Sequence, residues 1–317
     1  MKLKEIYDLA VKMGIKNDPR EEAGVAKYLE RQKKYFAGLN EEEKAEFDQE
    51  RLNNPYSDTR VLNGEPDCEV KRILTGIDIE VGEVLLADRL TEKGQKIDMI
   101  ITHHPEGQSL AGLYDVMHIQ EDILHLLGVP INIAEGILAP RITEIERKLL
   151  PTNHNRAVDA AKLLGFPFMT MHTVADNCVN KFLYDKIDEV KPETVKDVVK
   201  MLKAIPEFQK AVKTGAGPKI VVGDGNKRCG KVFIDMTGGT GGPKEQFERL
   251  AIAGIGTVVC MHISDDNRKE AEKNHINIIV AGHIACDSLG MNLILDEFKS
   301  LGVEIVTCSG LTRVERK

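Results

Sequence analysis

Apolar residues recur at two spacings along this chain, and the change from one to the other organises it. Near the N-terminus Ile6, Leu9, Ala10 and Met13 fall at i, i+3, i+4 and i+7, the spacing of one helix face. The run from Glu21 to Arg51 is rich in Glu, Lys and Ala, which predicts more helix, with a break at Gly38 and Asn40. Its charges read as a solvated face. Asn53, Asn54, Pro55 and Ser57 predict a loop. Residues 1–59 are therefore read as a helical N-terminal extension.

From Val70 the pattern changes. VKRILTGIDI reads as a strand, VGEVLLADRLTEKG as an amphipathic helix stopped by Gly94, and IDMIIT as a short apolar strand running into His103, His104 and Pro105. Strand, helix, strand implies a parallel unit, and in such sheets ligands bind beyond the carboxyl ends of the strands. Residues 107–165 look mostly helical, although the apolar stretch VPINIAEGIL within them also reads as a strand. FMTMHT predicts a strand, residues 185–213 a lysine-rich helical region, and KIVVGDGNKRCGKVFIDM two strands around a Gly-Asp-Gly-Asn turn. TVVCMHI, INIIVAGH and VEIVTCSG continue the alternation to the C-terminus.

Composition narrows the function classes. With 317 residues the chain can bury a sizeable core and suggests two domains, or one with additions. A formal net charge of -7 speaks against nucleic acid or an anionic membrane as partner. No apolar run approaches the roughly 20 residues of a membrane helix. The first residues lack the pattern of a secretory signal. Cys68, Cys178, Cys229, Cys260, Cys286 and Cys308 are scattered without a C-x-x-C pair, which fits reduced thiols in a cytoplasm.

The residues that carry chemistry follow apolar strand patterns. Neighbouring side chains in a strand point to opposite faces, so His103 and His104 converge only if the chain leaves the strand there; Pro105 favours an extended His104. The alternative is one packed and one exposed histidine. His283 and Asp287 stand at i, i+4 if a helix begins near His283, and a nitrogen donor beside a carboxylate suits a divalent ion. Asp287 reads equally as an acid complementing the helix dipole. His172 and Asp176 repeat the spacing, with a capping role as the alternative. His172 is also read as a group orienting Asp176, His154 and Asp159 as substitute ligands, and His262 as lining the site or as a surface residue. Cys286 reads as a small buried residue and the glycine run MTGGTGGPKEQF as a tight turn. Asp78 and Glu106 are the candidate catalytic bases.

Three stretches together resemble a known family. RILTGIDIEVGEVLLADRLTEKGQKIDMIITHHP is similar to the N-terminal signature of the NIF-three-like family, some of whose members carry the label GTP cyclohydrolase I type 2 homologue. MHTVADNCVNKFL resembles its His-Thr-x-x-Asp motif, and AGHIACDSLGMNLILDEF its Gly-His-x-x-x-Glu motif. The resemblance covers about residues 70–105, 168–184 and 231–317, in the family's order. It implies a dinuclear centre of two divalent ions per chain (iron, zinc or manganese) held by His103, His104, Asp176, His283 and Asp287. Aspartate at 287 replaces the family's usual glutamate, so a bridging role requires the helix to approach the metals more closely, or one metal to bind weakly. The long interval between the first two motifs implies an insertion within 107–165.

The expectations are these. The fold is α/β, two-lobed and NIF-three-like, with parallel-rich sheets and the N-terminal helical extension. Residues 60–184 plus 281–317 form a metal-binding lobe, and 185–280 an inserted second lobe. The resemblance implies a homo-oligomer, a hexamer, acting on a small molecule. The function is either metal-dependent hydrolysis of a cyclic amide or nucleotide-like substrate, or non-catalytic metal carriage or scaffolding.

Overall fold

The computed structural model describes residues 1–317. The chain opens with α1 (Leu3–Lys16), α2 (Glu21–Gly38) and α3 (Glu41–Glu46). The break falls where Gly38 and Asn40 predict it. The Asn40 carboxamide accepts from the Glu43 N–H at 2.9 Å, and the Glu43 carboxylate accepts from the Asn40 N–H at 2.9 Å, a reciprocal cap that starts α3. Leu3, Ile6 and Ala10 on α1 are fully buried in the main core, whereas α2 buries only Val25.

A strand that the hydrophobic pattern does not announce follows, β1 (Thr59–Asn63). The buried Arg60 hides its alternation. Arg60 pairs with Asp48 at 2.6 Å and Glu50 at 2.5 Å, so a charged side chain occupies a core position because two carboxylates meet it there. Then come β2 (Arg72–Gly76), α4 (Val81–Glu92) and β3 (Met99–Thr102), the predicted parallel unit, followed by α5 (Gly107–Ala111), α6 (His118–Leu127), α7 (Ile131–Leu149) and α8 (Arg156–Leu163). The stretch VPINIAEGIL is not a strand: from Ile131 it forms the start of α7. Ala134, Leu138, Ile142 and Ile145 are its buried residues, and this longer helical spacing overrides the β-branched run at its head.

The chain continues through β4 (Phe168–Met171), α9 (Thr173–Val190), α10 (Val195–Lys203), α11 (Pro206–Lys213), β5 (Lys219–Val222), β6 (Lys231–Asp235), α12 (Gln246–Ile252), β7 (Ile255–Cys260), α13 (Asp265–Lys273), β8 (Asn277–Val280), α14 (His283–Ser300) and β9 (Glu304–Thr307). The first sheet has the order β1-β4-β3-β2-β9, parallel except for β1 against β4. The second has the order β5-β8-β7-β6, parallel except for β5 against β8. The two strands flanking Gly-Asp-Gly-Asn are present but do not pair with each other; they lie on opposite edges. Val232, Phe233 and Ile234 are buried in succession, as expected of a parallel strand covered on both faces, and β6 pairs with β7 instead.

Topology puts the chemistry at strand ends. His103 follows β3, His172 follows β4 and His283 opens α14 three residues after β8. Gly282 has φ +110°, and a Cβ there would meet the Ala216 carbonyl oxygen at 2.3 Å. Only glycine permits this turn, so His283 begins the helix at the sheet edge.

Candidate metal centre

Strand β3 ends at Thr102, yet both histidines stay fixed. The His103 N–H donates to the Gly76 carbonyl at 3.0 Å and the His104 N–H to the Ile77 carbonyl at 2.8 Å. Both rings reach the same place: His103 Nε2 lies 3.6 Å from Asp287 Oδ1, and His104 Nε2 lies 3.5 Å from Asp287 Oδ2. His283 Nε2 lies 3.6 Å from the same Oδ2. On the other side His103 Nε2 is 3.6 Å from Asp176 Oδ1, and His172 Nε2 is 3.7 Å from Asp176 Oδ2.

Two donor groups result, His103 with His172 and Asp176, and His103 with His104 and Asp287. The five residues expected from the sequence are thus brought together. His172 joins them as a donor, beyond the orienting part that the sequence suggested. His262 stacks near His283, with ring centroids 5.1 Å apart. His154 does not join; its Nε2 lies 2.9 Å from the Leu149 carbonyl. Cys286 is fully buried, and burial pushes its thiol pKa well above the usual range, which keeps it protonated.

The far nitrogen of three rings is held. His172 Nδ1 lies 2.7 Å from Asp58 Oδ2, His104 Nδ1 lies 2.6 Å from Asp78 Oδ1, and His103 Nδ1 lies 3.1 Å from the Met171 carbonyl. With each Nδ1 taken by an acceptor, each Nε2 faces the centre as the free donor. Asp78, a candidate base by sequence, is therefore spent on orienting His104. Glu106 precedes α5, and burial pushes its carboxyl up to about 7 despite Arg156, with Glu80 and Asp78 adding to the rise. That leaves Glu106 able to hold or give up a proton near neutrality. Asp58 was hidden from the sequence reading because it sits in a loop 114 residues before its partner.

Asp58→Asn tests this support. The amide keeps the shape but not the double acceptance, since Asp58 Oδ2 also takes the Thr173 hydroxyl at 2.6 Å. Divalent-metal affinity should fall about 10- to 100-fold, with the far-ultraviolet circular dichroism spectrum unchanged. Titration with Mn²⁺ or Zn²⁺ measures it, and unchanged affinity would remove Asp58 from the account.

The donor set has the electrostatics of a cation site. His103 Nε2, Asp176 Oδ1 and both oxygens of Asp287 are buried without a hydrogen-bond partner. Leaving such atoms unsatisfied costs several kcal/mol unless an ion takes them up. The separations of 3.5–3.7 Å are too long for hydrogen bonds. They are close to the roughly 3.3–3.6 Å between two donors sharing one ion at about 2.0–2.2 Å. Burial pushes the Asp176 carboxyl up to about 6 against the pull of His172 and His103. Burial also works to raise Asp287, but His103, His104 and His283 outweigh it and hold that carboxyl well below its usual range. The same residues suit iron, zinc or manganese, since imidazole and carboxylate donors serve all three.

No family model and no curated protein matches the chain by sequence. Solved structures do match by shape. A NIF3 superfamily protein from Sphaerobacter thermophilus superposes with a TM-score of 0.75 at 24% identity, over 98% of this chain and 99% of that one. Such coverage takes in the N-terminal helices and the helical segment 107–165, so neither is peculiar to this chain. Reduced HcgD from Methanocaldococcus jannaschii superposes with a TM-score of 0.51 at 15% identity, over 84% of this chain and 94% of that one. The chain therefore has the fold of a NIF3 superfamily protein, with His/Asp groups compatible with metal binding at the carboxyl edges of its parallel strands.

Proposed function

We propose that the chain is a dinuclear divalent-metal protein that hydrolyses a small molecule. The observation that carries this is Asp287: a fully buried carboxylate with no hydrogen-bond partner, one oxygen toward His103 and the other toward His104 and His283. A carboxylate so divided suits two ions better than one. His103, His172 and Asp176 would hold one ion and His104 and His283 the other, with Asp287 between them. When bound, such ions polarise an acyl or phosphoryl oxygen and acidify a water near neutral pH.

The chain's own residues do the rest. Asp58, Asp78 and the Met171 carbonyl orient the imidazoles. His104 and His283 are partly exposed, so substrate can approach from their side. The reading is tested with a panel of cyclic amide, nucleotide and phosphoester substrates, using metal-loaded wild type and His104→Ala in parallel. A substrate turned over by wild type alone, lost with chelator and restored with metal, is the expected result. If metal binding separates the two proteins but no substrate does, metal carriage replaces hydrolysis.

The metal-free centre also predicts a pH dependence. Burial opposes a charge on His172, but Asp176 and Asp58 outweigh it and raise its pKa to about 9. Burial lowers His283 to about 4, so that ring is neutral and ready at pH 7. A divalent ion must displace the His172 proton at neutral pH. Affinity should therefore rise with pH, about tenfold per unit up to about pH 9, where His172 is already deprotonated. Below about pH 6 the slope should steepen, as Asp176 also takes a proton. The same shift has a folding consequence without metal: the stability His172 contributes is complete below its unfolded pKa of about 6.5 and is lost as pH rises through 9. Calorimetry in buffers of different ionisation enthalpy should show a proton released at pH 7; a pH-independent affinity between 6 and 9 would contradict the assignment of His172.

A further inference from the structure

Beyond His262 the cleft widens. A cavity of about 750 Å³ lies between α7 and the carboxyl edge of the four-stranded sheet. Asp235, Thr240, Gly241, Cys260 and His262 line both this cavity and the recess beside His172, Asp176 and His283. The two spaces therefore adjoin across these residues, and the volume is that of a small-molecule site.

The charges in its wall are unevenly committed. Arg141 and Lys148 both pair with Glu144, at 2.8 and 2.6 Å. Arg141 also donates to the Gly241 carbonyl at 3.1 Å, which ties the guanidinium to the glycine-rich loop. These two cations are spent on the wall; Lys244, Glu245 and Asp266 also line the cavity, so its wall carries charge of both signs. Asp235 is the reverse case. It ends β6, in register with Cys260 at the end of β7. Burial pushes its carboxyl up to about 6, and no cation or donor of the protein offsets that. The side chain is half-buried at the cavity wall and makes no hydrogen bond or ion pair within the protein, so a cation entering the cavity can meet it.

We propose that Asp235 is the specificity residue of a substrate pocket, receiving an amidinium or guanidinium group while the hydrolysable end of the same molecule lies at the His/Asp centre. The second half of this statement rests on the metal-centre reading above; the first does not. A planar cation with two parallel N–H donors matches a carboxylate bidentately. A site built on that pairing discriminates strongly against an isostere lacking the charge and one donor.

Benzamidine and its neutral isostere benzamide are the probes. Titration followed by NMR or calorimetry, on wild type, Asp235→Asn and Asp235→Ala, reads the affinity, and elemental analysis reads the metal content of each. Benzamidine should bind wild type at least tenfold more tightly than benzamide, and both variants should lose that preference while keeping the wild-type metal content. The preference should persist in chelator-treated protein, so a failure of the metal reading leaves this test standing. Equal binding of the two probes, a preference surviving in Asp235→Asn, or loss of metal from the Asp235 variants would each overturn the proposal, the last by making Asp235 a ligand.

Discussion

Asp287→Ala should empty the centre. The substitution removes the carboxylate that His103, His104 and His283 all face, so neither of the two proposed ions would keep its full set of protein ligands. Removing even an outer partner of a ligand typically costs 10- to 100-fold in metal affinity. Losing the shared carboxylate should therefore cost at least about 100-fold, with less than one ion per chain retained after desalting. The fold should survive, because the carboxylate removed makes no hydrogen bond that holds the fold together. Asp287→Glu is expected to retain metal, since it keeps the carboxylate and restores the residue of the resembled motif. Elemental analysis decides; wild-type occupancy in Asp287→Ala would reduce Asp287 to an acid at a helix start.

The second large effect lies one turn further along α14. A Cβ at Gly290 would stand 2.3 Å from the Ala175 carbonyl oxygen on α9. Real contacts are never so short, and the obstacle is backbone, so the helices must move apart. These two helices carry Asp176 and Asp287. Gly290→Ala should cost about 1–3 kcal/mol by overpacking. It should also weaken metal binding although Gly290 has no donor atom, because it widens the gap between the carboxylates. A stability loss with unchanged metal affinity would show that the centre tolerates the displacement.

Much of this was legible in the residues because each motif follows an apolar run that ends. IDMIIT before His103 and INIIV before His283 are strands covered on both faces, and such runs stand out without alternation. Their carboxyl ends then locate the site by a general rule of parallel sheets. What stayed hidden depends on partners far away in sequence. Arg60 makes β1 read as loop until Asp48 and Glu50 are seen to neutralise it. Asp58 becomes meaningful only beside His172. The head of α7 looked like a strand because Ile131 and Ile133 are β-branched, while the spacing that decides the matter appears only further on, from Ala134 to Ile145. The pairing of β5 with β8 rather than β6 is a long-range choice that the Gly-Asp-Gly-Asn turn does not express.

In the proposed centre two ions would be divided by the Asp287 carboxylate. Crystals of manganese-loaded protein, measured at the manganese edge, test it directly. Two anomalous peaks are expected, one among His103, His172 and Asp176 and one between His104 and His283, with the Asp287 carboxylate touching both. A single peak, or peaks away from Asp287, would contradict it.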